Sequence, residues 1–256
     1  NTDTISGATV NFSQFGGGSA VAASNSSGTW TATYTIVSGS VDTTSRNVSI
    51  SATDNAGNTT NTADTTNATV DNIAPTVTDA KISISGGTGA GGAFKIGDTV
   101  TATWNNTAGG DNNTDTISAV TMDFSQFGGG SAVSASNASG TWTATYNIVA
   151  GALNRSTNRN ISVTVTDNAG NVTTTADTTN AIVDNVVPVI ASVSIPNTTM
   201  KVGDVVTATI TVSTDSDTYS LSSGSVGGFA LGSLTKISGT SYSATFTVTE
   251  GGTDVA

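Results

Sequence analysis

Apolar and polar residues alternate with period two along much of this 256-residue chain. In 98–105, Val100, Ala102 and Trp104 share one face, and Thr99, Thr101 and Thr103 share the other. Trp142, Ala144, Tyr146 and Ile148 alternate with threonine and asparagine in 141–149, and Ile161, Val163 and Val165 alternate with serine and threonine in 160–166. Val120, Met122 and Phe124 repeat the pattern. Such alternation puts apolar side chains on one side of a strand, which marks antiparallel sheets with one buried and one solvated face. No segment carries a competing helical period. Between residues 73 and 185 the pattern predicts strands at about 77–85, 98–105, 116–124, 131–136, 140–149, 159–166 and 172–183. Asp167–Asn171 (DNAGN) reads as a tight turn joining the last two.

The same pattern occurs more than once. Residues 1–39 match 113–151 at 31 of 39 positions. After one inserted residue, SRNVSISATDNAGN (45–58) answers NRNISVTVTDNAGN (158–171), and ADTTNATVDNIAPTV (63–77) answers ADTTNAIVDNVVPVI (176–190). A weaker third copy shows in KVGDVVTAT (201–209) against KIGDTVTAT (95–103). A period of this length is a whole small domain and not a solenoid unit. The joints fall at DNIAP (71–75) and DNVVP (184–188), where proline stiffens a short connection. The chain is therefore expected to hold the C-terminal part of one domain (1–72), a complete domain (73–185) and the N-terminal part of a divergent domain (186–256), as a window on a longer protein. Seven short strands in about 110 residues predict an all-β, immunoglobulin-like two-sheet sandwich. Trp104, Trp142 and Tyr146 are its expected large core residues, while Phe15, Phe127 and Tyr219 are not assigned to a face.

Composition narrows the chemistry. There is no histidine and no cysteine, which removes Ser-His-Asp and Cys-His catalysis, usual zinc sites and disulfides. No converging catalytic constellation remains, and the chain is not expected to be an enzyme. Acids outnumber bases 18 to 7 with no basic patch, which argues against nucleic-acid binding. No stretch reaches the length a membrane helix requires. Only Glu250 among the acids is a glutamate. A general solubilising surface would use both acids, whereas aspartate alone suits turns and oxygen-lined calcium sites. Twelve Asn-X-Ser/Thr sequons occur, many of them expected by chance in so Asn/Ser/Thr-rich a chain. The triple glycines after FSQF (16–18 and 128–130) match no complete phosphate-binding motif and are read as turns between strands.

TDNAGN before the last strand, VDN-x-x-P between units and K-[IV]-G-D-x-V-T-A-T on the second strand resemble bacterial Ig-like repeats. Such repeats build giant secreted surface proteins: RTX and biofilm-associated adhesins, surface-layer proteins and surface filaments. The resemblance covers nearly the whole chain through the order and recurrence of short motifs. It implies a cell-surface, extracellular location, neighbouring repeats of the same chain as partners, and calcium at domain junctions as a stiffener.

The sandwich expectation places three acidic elements at one pole of the complete unit: the linker, the loop 105–115 and the DNAGN turn. Calcium takes six to eight oxygens from carboxylates, amides and carbonyls. The expected ligands are Asp71, Asn72, Asp111, Asp115, Asp167, Asn168 and Asn171, with Asp184 and Asn185 at the following joint. Turn chemistry alone is the competing reading, since Asp and Asn occupy turns without any metal. Asp54 belongs to the same turn in the first unit, and Asp98 and Asp204 are expected turn residues at the opposite pole. Three functions remain open: a stalk or spacer, a carbohydrate- or surface-binding module, and lateral or end-to-end self-association into filaments through open strand edges.

Overall fold

The computed structural model describes residues 4–214, 217–221 and 223–251, so parts of the expected 1–72 and 186–256 units lie outside the described residues. The chain is all-β, with several mostly antiparallel sheets, none closed into a barrel. Among the described residues, every strand pairing lies within 5–71, 82–184 or 190–247, the first, middle and third segments.

In the middle segment, Ser136–Ala138, Thr141–Asn147, Thr99–Asn105 and Ile82–Ser85 form one four-stranded sheet in that order. Val133–Ser134, Ile117–Asp123, Ser162–Asp167 and Val172–Ala176 form a second. A third sheet, Phe94–Lys95, Ala181–Asp184 and Ser156–Arg159, contains the parallel pair Phe94↔Val183. The alternating residues read from the sequence meet in one core. Val100, Trp104, Met122, Phe124, Phe127, Val163 and Val165 are all fully buried in it. Trp142 and Tyr146 flank that core and are only partly buried.

Several boundaries differ from the sequence reading: the strand expected at 131–136 divides into Val133–Ser134 and Ser136–Ala138, the one expected at 159–166 into Ser156–Arg159 and Ser162–Asp167, and two others change as follows. The strand expected at 77–85 begins with a 3-10 turn, Asp79–Lys81, and extends only over Ile82–Ser85. Asp79 accepts from the Thr178 N–H (2.9 Å) and hydroxyl (2.6 Å), which anchors that turn to the far end of the segment. The strand expected at 172–183 breaks into Val172–Ala176 and Ala181–Asp184. The break is at DTTN, where Asn180 takes φ 58 and the buried Asp177 accepts from the Thr179 hydroxyl. Asparagine tolerates that left-handed conformation better than most residues.

The triple glycine has a local cause. Gly128 closes the 3-10 turn Ser125–Phe127 at φ 88, and a Cβ on Gly129 would lie 2.8 Å from both the Phe124 Cβ and the Tyr146 ring. The turn therefore needs one residue that accepts positive φ and another without a side chain.

Asp98 is more than an ordinary turn residue. It is 5 % exposed and accepts from the Thr88 and Lys95 N–H groups and the Thr88 hydroxyl. Burial by itself pushes this carboxyl up. The Thr88 hydroxyl, the two N–H groups and the Lys95 charge outweigh that effect and hold it at about 2. A folded value below the unfolded one means its stabilisation is complete above the unfolded value and is lost as pH falls towards about 2. Asp98→Asn is expected to cost about 2 kcal/mol near neutrality, the scale of hydrogen bonds to a charged group. In denaturation curves the gap from the parent should narrow between pH 4 and pH 2, and a gap independent of pH would contradict this role.

The first segment repeats most of this structure, without counterparts of Ile82–Ser85, Phe94–Lys95 and Thr99–Asn105 among the described residues. Its sheet runs Val21–Ala22, Ile5–Asn11, Ser49–Asp54 and Thr59–Ala63, with the two-stranded pairs Asp42–Arg46/Ala68–Asp71 and Ser24–Ser26/Thr29–Thr31 beside it. Residues aligned with the middle core are less covered. Ile36 is 47 % exposed where its counterpart Ile148 is 2 % exposed. The third segment has a sheet of Ile190–Ser194, Val205–Val212, Ser241–Thr247 and Thr235–Lys236, plus a short hairpin, Ser225–Val226 with Phe229–Ala230.

Candidate metal centre

The DNAGN turns form by their own chemistry. In the middle segment, one Asp167 oxygen accepts the N–H groups of Ala169, Gly170 and Asn171 at 2.8–2.9 Å. The other accepts the Asn171 side-chain amide at 2.9 Å. Asp54 accepts from Ala56 and Asn58 in the same way. This arrangement reverses the chain between Ser162–Asp167 and Val172–Ala176 without any ion. Burial favours a raised Asp167 pKa, but the Asn171 amide and the turn N–H groups outweigh it and hold the carboxyl below its usual value.

In the middle segment the turn also reaches the linker. The Asn171 amide nitrogen lies 3.3 Å from an Asp71 carboxylate oxygen and 3.4 Å from the carbonyl oxygens of Asp71 and Ile73. Counting Asp167, four oxygens face a group with two hydrogens. The Asn171 amide is thus shared among several acceptors, of which the Asp71 carboxylate also accepts from the Ile73 N–H at 3.1 Å.

Three carboxylates converge there. Asp42, Asp71 and Asp115 each offer an oxygen within 4.8 Å of the others. Asp42 and Asp71 are paired across neighbouring strands of the first segment, and Asp115 comes from the loop that precedes Ile117–Asp123 in the middle segment. Burial, the charges of Asp42 and Asp71, a hydrogen bond with Asp42 and the Asp167 charge all raise the Asp115 carboxyl above its usual value. Unit charges at that separation repel by roughly 1–3 kcal/mol per pair, from bulk water to a protein surface. A cation would turn that repulsion into attraction. The donors are hard oxygens, the type calcium selects, so the residues present fit such an ion. Asp42, Asp71 and Asp115 would hold it, with the Asp71 and Ile73 carbonyls and Asp167 at the margin.

Asp71, Asp115, Asp167 and Asn171 are therefore brought together as the sequence suggests, and Asp42 joins them. The remaining expected ligands have other partners. Asp111 accepts from the Thr78 N–H (3.0 Å), the Thr78 hydroxyl (2.6 Å) and the Trp104 indole N–H (2.7 Å), and so secures the linker side to the core. Asn72 is buried, accepts from the Val41 N–H and donates to the Val37 carbonyl, both at 2.8 Å. Asn185 accepts likewise from the Leu153 N–H at 2.8 Å. These two amides fasten the 37–41 and 149–153 turns to the strand ends. Asn168 is exposed, and its N–H donates to the Thr116 carbonyl at 2.9 Å. Asp184 accepts from the Val186 N–H at 3.3 Å, as Asp71 does from Ile73, but joins no acidic triplet among the described residues. Strand register supplies a reason. Thr43↔Val70 corresponds to Ser156↔Val183, so Arg155 stands where Asp42 stands one unit earlier. No protein-family model, curated protein or solved structure matches this chain.

Proposed function

We propose that this chain is a structural repeat segment of a large extracellular, cell-surface protein. It serves as a stalk, spacer or filament-forming stretch built from tandem Ig-like sandwiches of about seven strands. Its partners are neighbouring repeats of the same long chain. Calcium at the first joint restricts bending between the first and middle segments. The observation that carries this reading is the convergence of Asp42 and Asp71 from one repeat with Asp115 from the next. A turn residue serving only its own hairpin has no reason to meet carboxylates of another repeat. The long internal repeat and the absence of histidine and cysteine support a mechanical role over a catalytic one.

In this reading the joint without ion is held open by like charge. An ion that binds only the aligned arrangement stabilises that arrangement by linkage. Small-angle scattering with calcium and after chelation tests it. The maximum dimension and the persistence of the particle should increase with calcium. An unchanged scattering profile would leave turn chemistry as the sufficient account of these aspartates.

A further inference from the structure

Three Asn-X-Ser/Thr sequons recur at aligned positions of the first and middle segments: Asn25 with Asn137, Asn47 with Asn160, and Asn58 with Asn171. The fold separates these pairs by what the side-chain amide nitrogen does. Asn58 and Asn171 donate theirs to Asp54 and Asp167, at 2.8 and 2.9 Å. Asn47 and Asn160 donate theirs to the Asn67 and Asn180 side-chain carbonyls, at 3.1 and 3.0 Å. Asn25 and Asn137 are exposed, and among the described residues their Nδ2 atoms have no acceptor. Their Oδ1 atoms accept the Gly28 and Gly140 N–H groups, at 3.0 and 2.8 Å, which holds each side chain beside the turn of its hairpin.

The turn itself points the same way. Ser24–Ser26 with Thr29–Thr31, and Ser136–Ala138 with Thr141–Asn147, are hairpins closed by two residues of positive φ: Ser27 (51) with Gly28 (87), and Ser139 (52) with Gly140 (89). Two-residue turns of this kind favour asparagine, aspartate or glycine at the first position. Serine stands there in both repeats, although asparagine takes positive φ elsewhere in this chain, as at Asn67 and Asn180. The Ser27 and Ser139 hydroxyls are exposed and make no hydrogen bond among the described residues. They do supply the hydroxyl two residues after asparagine that the sequon requires. The third segment gives the contrast. Lys236, opposite Tyr242, stands where Asn137 stands opposite Trp142. The sequon is gone there, the Ile237 N–H donates to the Ser241 carbonyl, and neither Ser238 nor Gly239 has positive φ.

We propose that Asn25 and Asn137 are acceptors of an N-linked glycan, one per repeat. The donor is a lipid-diphosphate-linked oligosaccharide. The asparagine Nδ2 bonds to the anomeric carbon as the bond from that carbon to the diphosphate oxygen breaks. The lipid diphosphate leaves with the electron pair, and one amide proton passes to a base of the transferase. Ser136–Ala138 is an edge strand, paired on one side only. A bulky, hydrated glycan on its middle residue covers that edge and opposes pairing with another chain. Glycan at this place favours a separate stalk over lateral assembly.

The test incubates the folded full chain in chelator with an oligosaccharyltransferase and a lipid-diphosphate-linked oligosaccharide, and maps the products by glycopeptide mass spectrometry. Chelator keeps the outcome independent of the calcium proposal. Occupancy is expected at Asn25 and Asn137, with little at Asn47, Asn58, Asn160 and Asn171. Ser139→Asp keeps a residue that this turn favours. It should abolish occupancy at Asn137 alone, with the melting of the chain unchanged or raised. No transfer to Asn25 and Asn137, transfer spread evenly over the free and the hydrogen-bonded sequons, or occupancy at Asn137 that survives Ser139→Asp would overturn the proposal. In the chain isolated from its source, both asparagines unmodified would also overturn it, and fractionation of the same cells tests the extracellular location separately.

Discussion

Trp104→Ala should cost the middle segment about 4–5 kcal/mol, at the upper end for removing a buried aromatic side chain. Trp104 has no exposed surface and lies in the central part of its sheet, between Trp142 on one neighbouring strand and Ile82 on the other. Its truncation removes the largest fully buried side chain and also withdraws the indole N–H from Asp111. Trp104→Phe separates these effects. It keeps most of the volume and loses the 2.7 Å hydrogen bond, so the expected cost is about 1–2 kcal/mol. Chemical denaturation followed by circular dichroism, with hydrogen exchange to locate the change, reads both. Protection within 5–71 should be unchanged, because no strand of the first segment pairs with the middle one. A loss below about 2 kcal/mol for Trp104→Ala would mean that the core relaxes around the gap.

Asp115→Asn should have opposite effects with and without calcium. The Asp115 carboxyl is raised by burial and by the neighbouring Asp42 and Asp71 charges. A folded value above the unfolded one means that ionisation of this group weakens the folded joint as pH rises through the acid range. Asparagine does not ionise, so in chelator at neutral pH the variant should be more stable than the parent, by roughly 1 kcal/mol after solvent screening at the exposed Asp42. The parent gains about 2–3 kcal/mol when calcium is near a hundredfold excess over its dissociation constant. The variant loses one of three carboxylates and should gain little. Thermal melts of both chains in chelator and in calcium form the test. A variant that is destabilised in chelator, or that responds to calcium as the parent does, would remove Asp115 from the site.

The sequence made much of this architecture legible because alternation and repetition are local signals. Val100, Ala102 and Trp104 lie buried on one face as their spacing requires, and the DNAGN turn joins the strands it was expected to join. Phe94–Lys95 was not legible, since two residues carry no periodicity, and its parallel partner lies near the far end of the segment. The break at Asp177–Asn180 was visible in principle, because a D-T-T-N run is turn chemistry inside an apparent strand.

Asp71, Asp115, Asp167 and Asn171 were accessible because they sit in motifs at one predicted pole. Asp42 was not, since it begins a strand in an unremarkable serine- and threonine-rich run. Its one sequence signal is a contrast: Arg155 takes the corresponding place at the next joint. Asp111 looked like a ligand because loop aspartates do. Only the fold reveals the buried indole that needs its oxygen. Burial in the first segment was not legible either, because Ile36 and Ile148 share a local sequence and differ in what covers them.

Two successive repeats are proposed to share one calcium ion through Asp42, Asp71 and Asp115. Calorimetric titration of calcium into the chelator-treated full chain measures this most directly. One dominant site per chain is expected, lost in Asp42→Asn and in Asp115→Asn and retained in Asp111→Asn. No binding heat, or a site that survives loss of Asp115 and vanishes with Asp111, would contradict it.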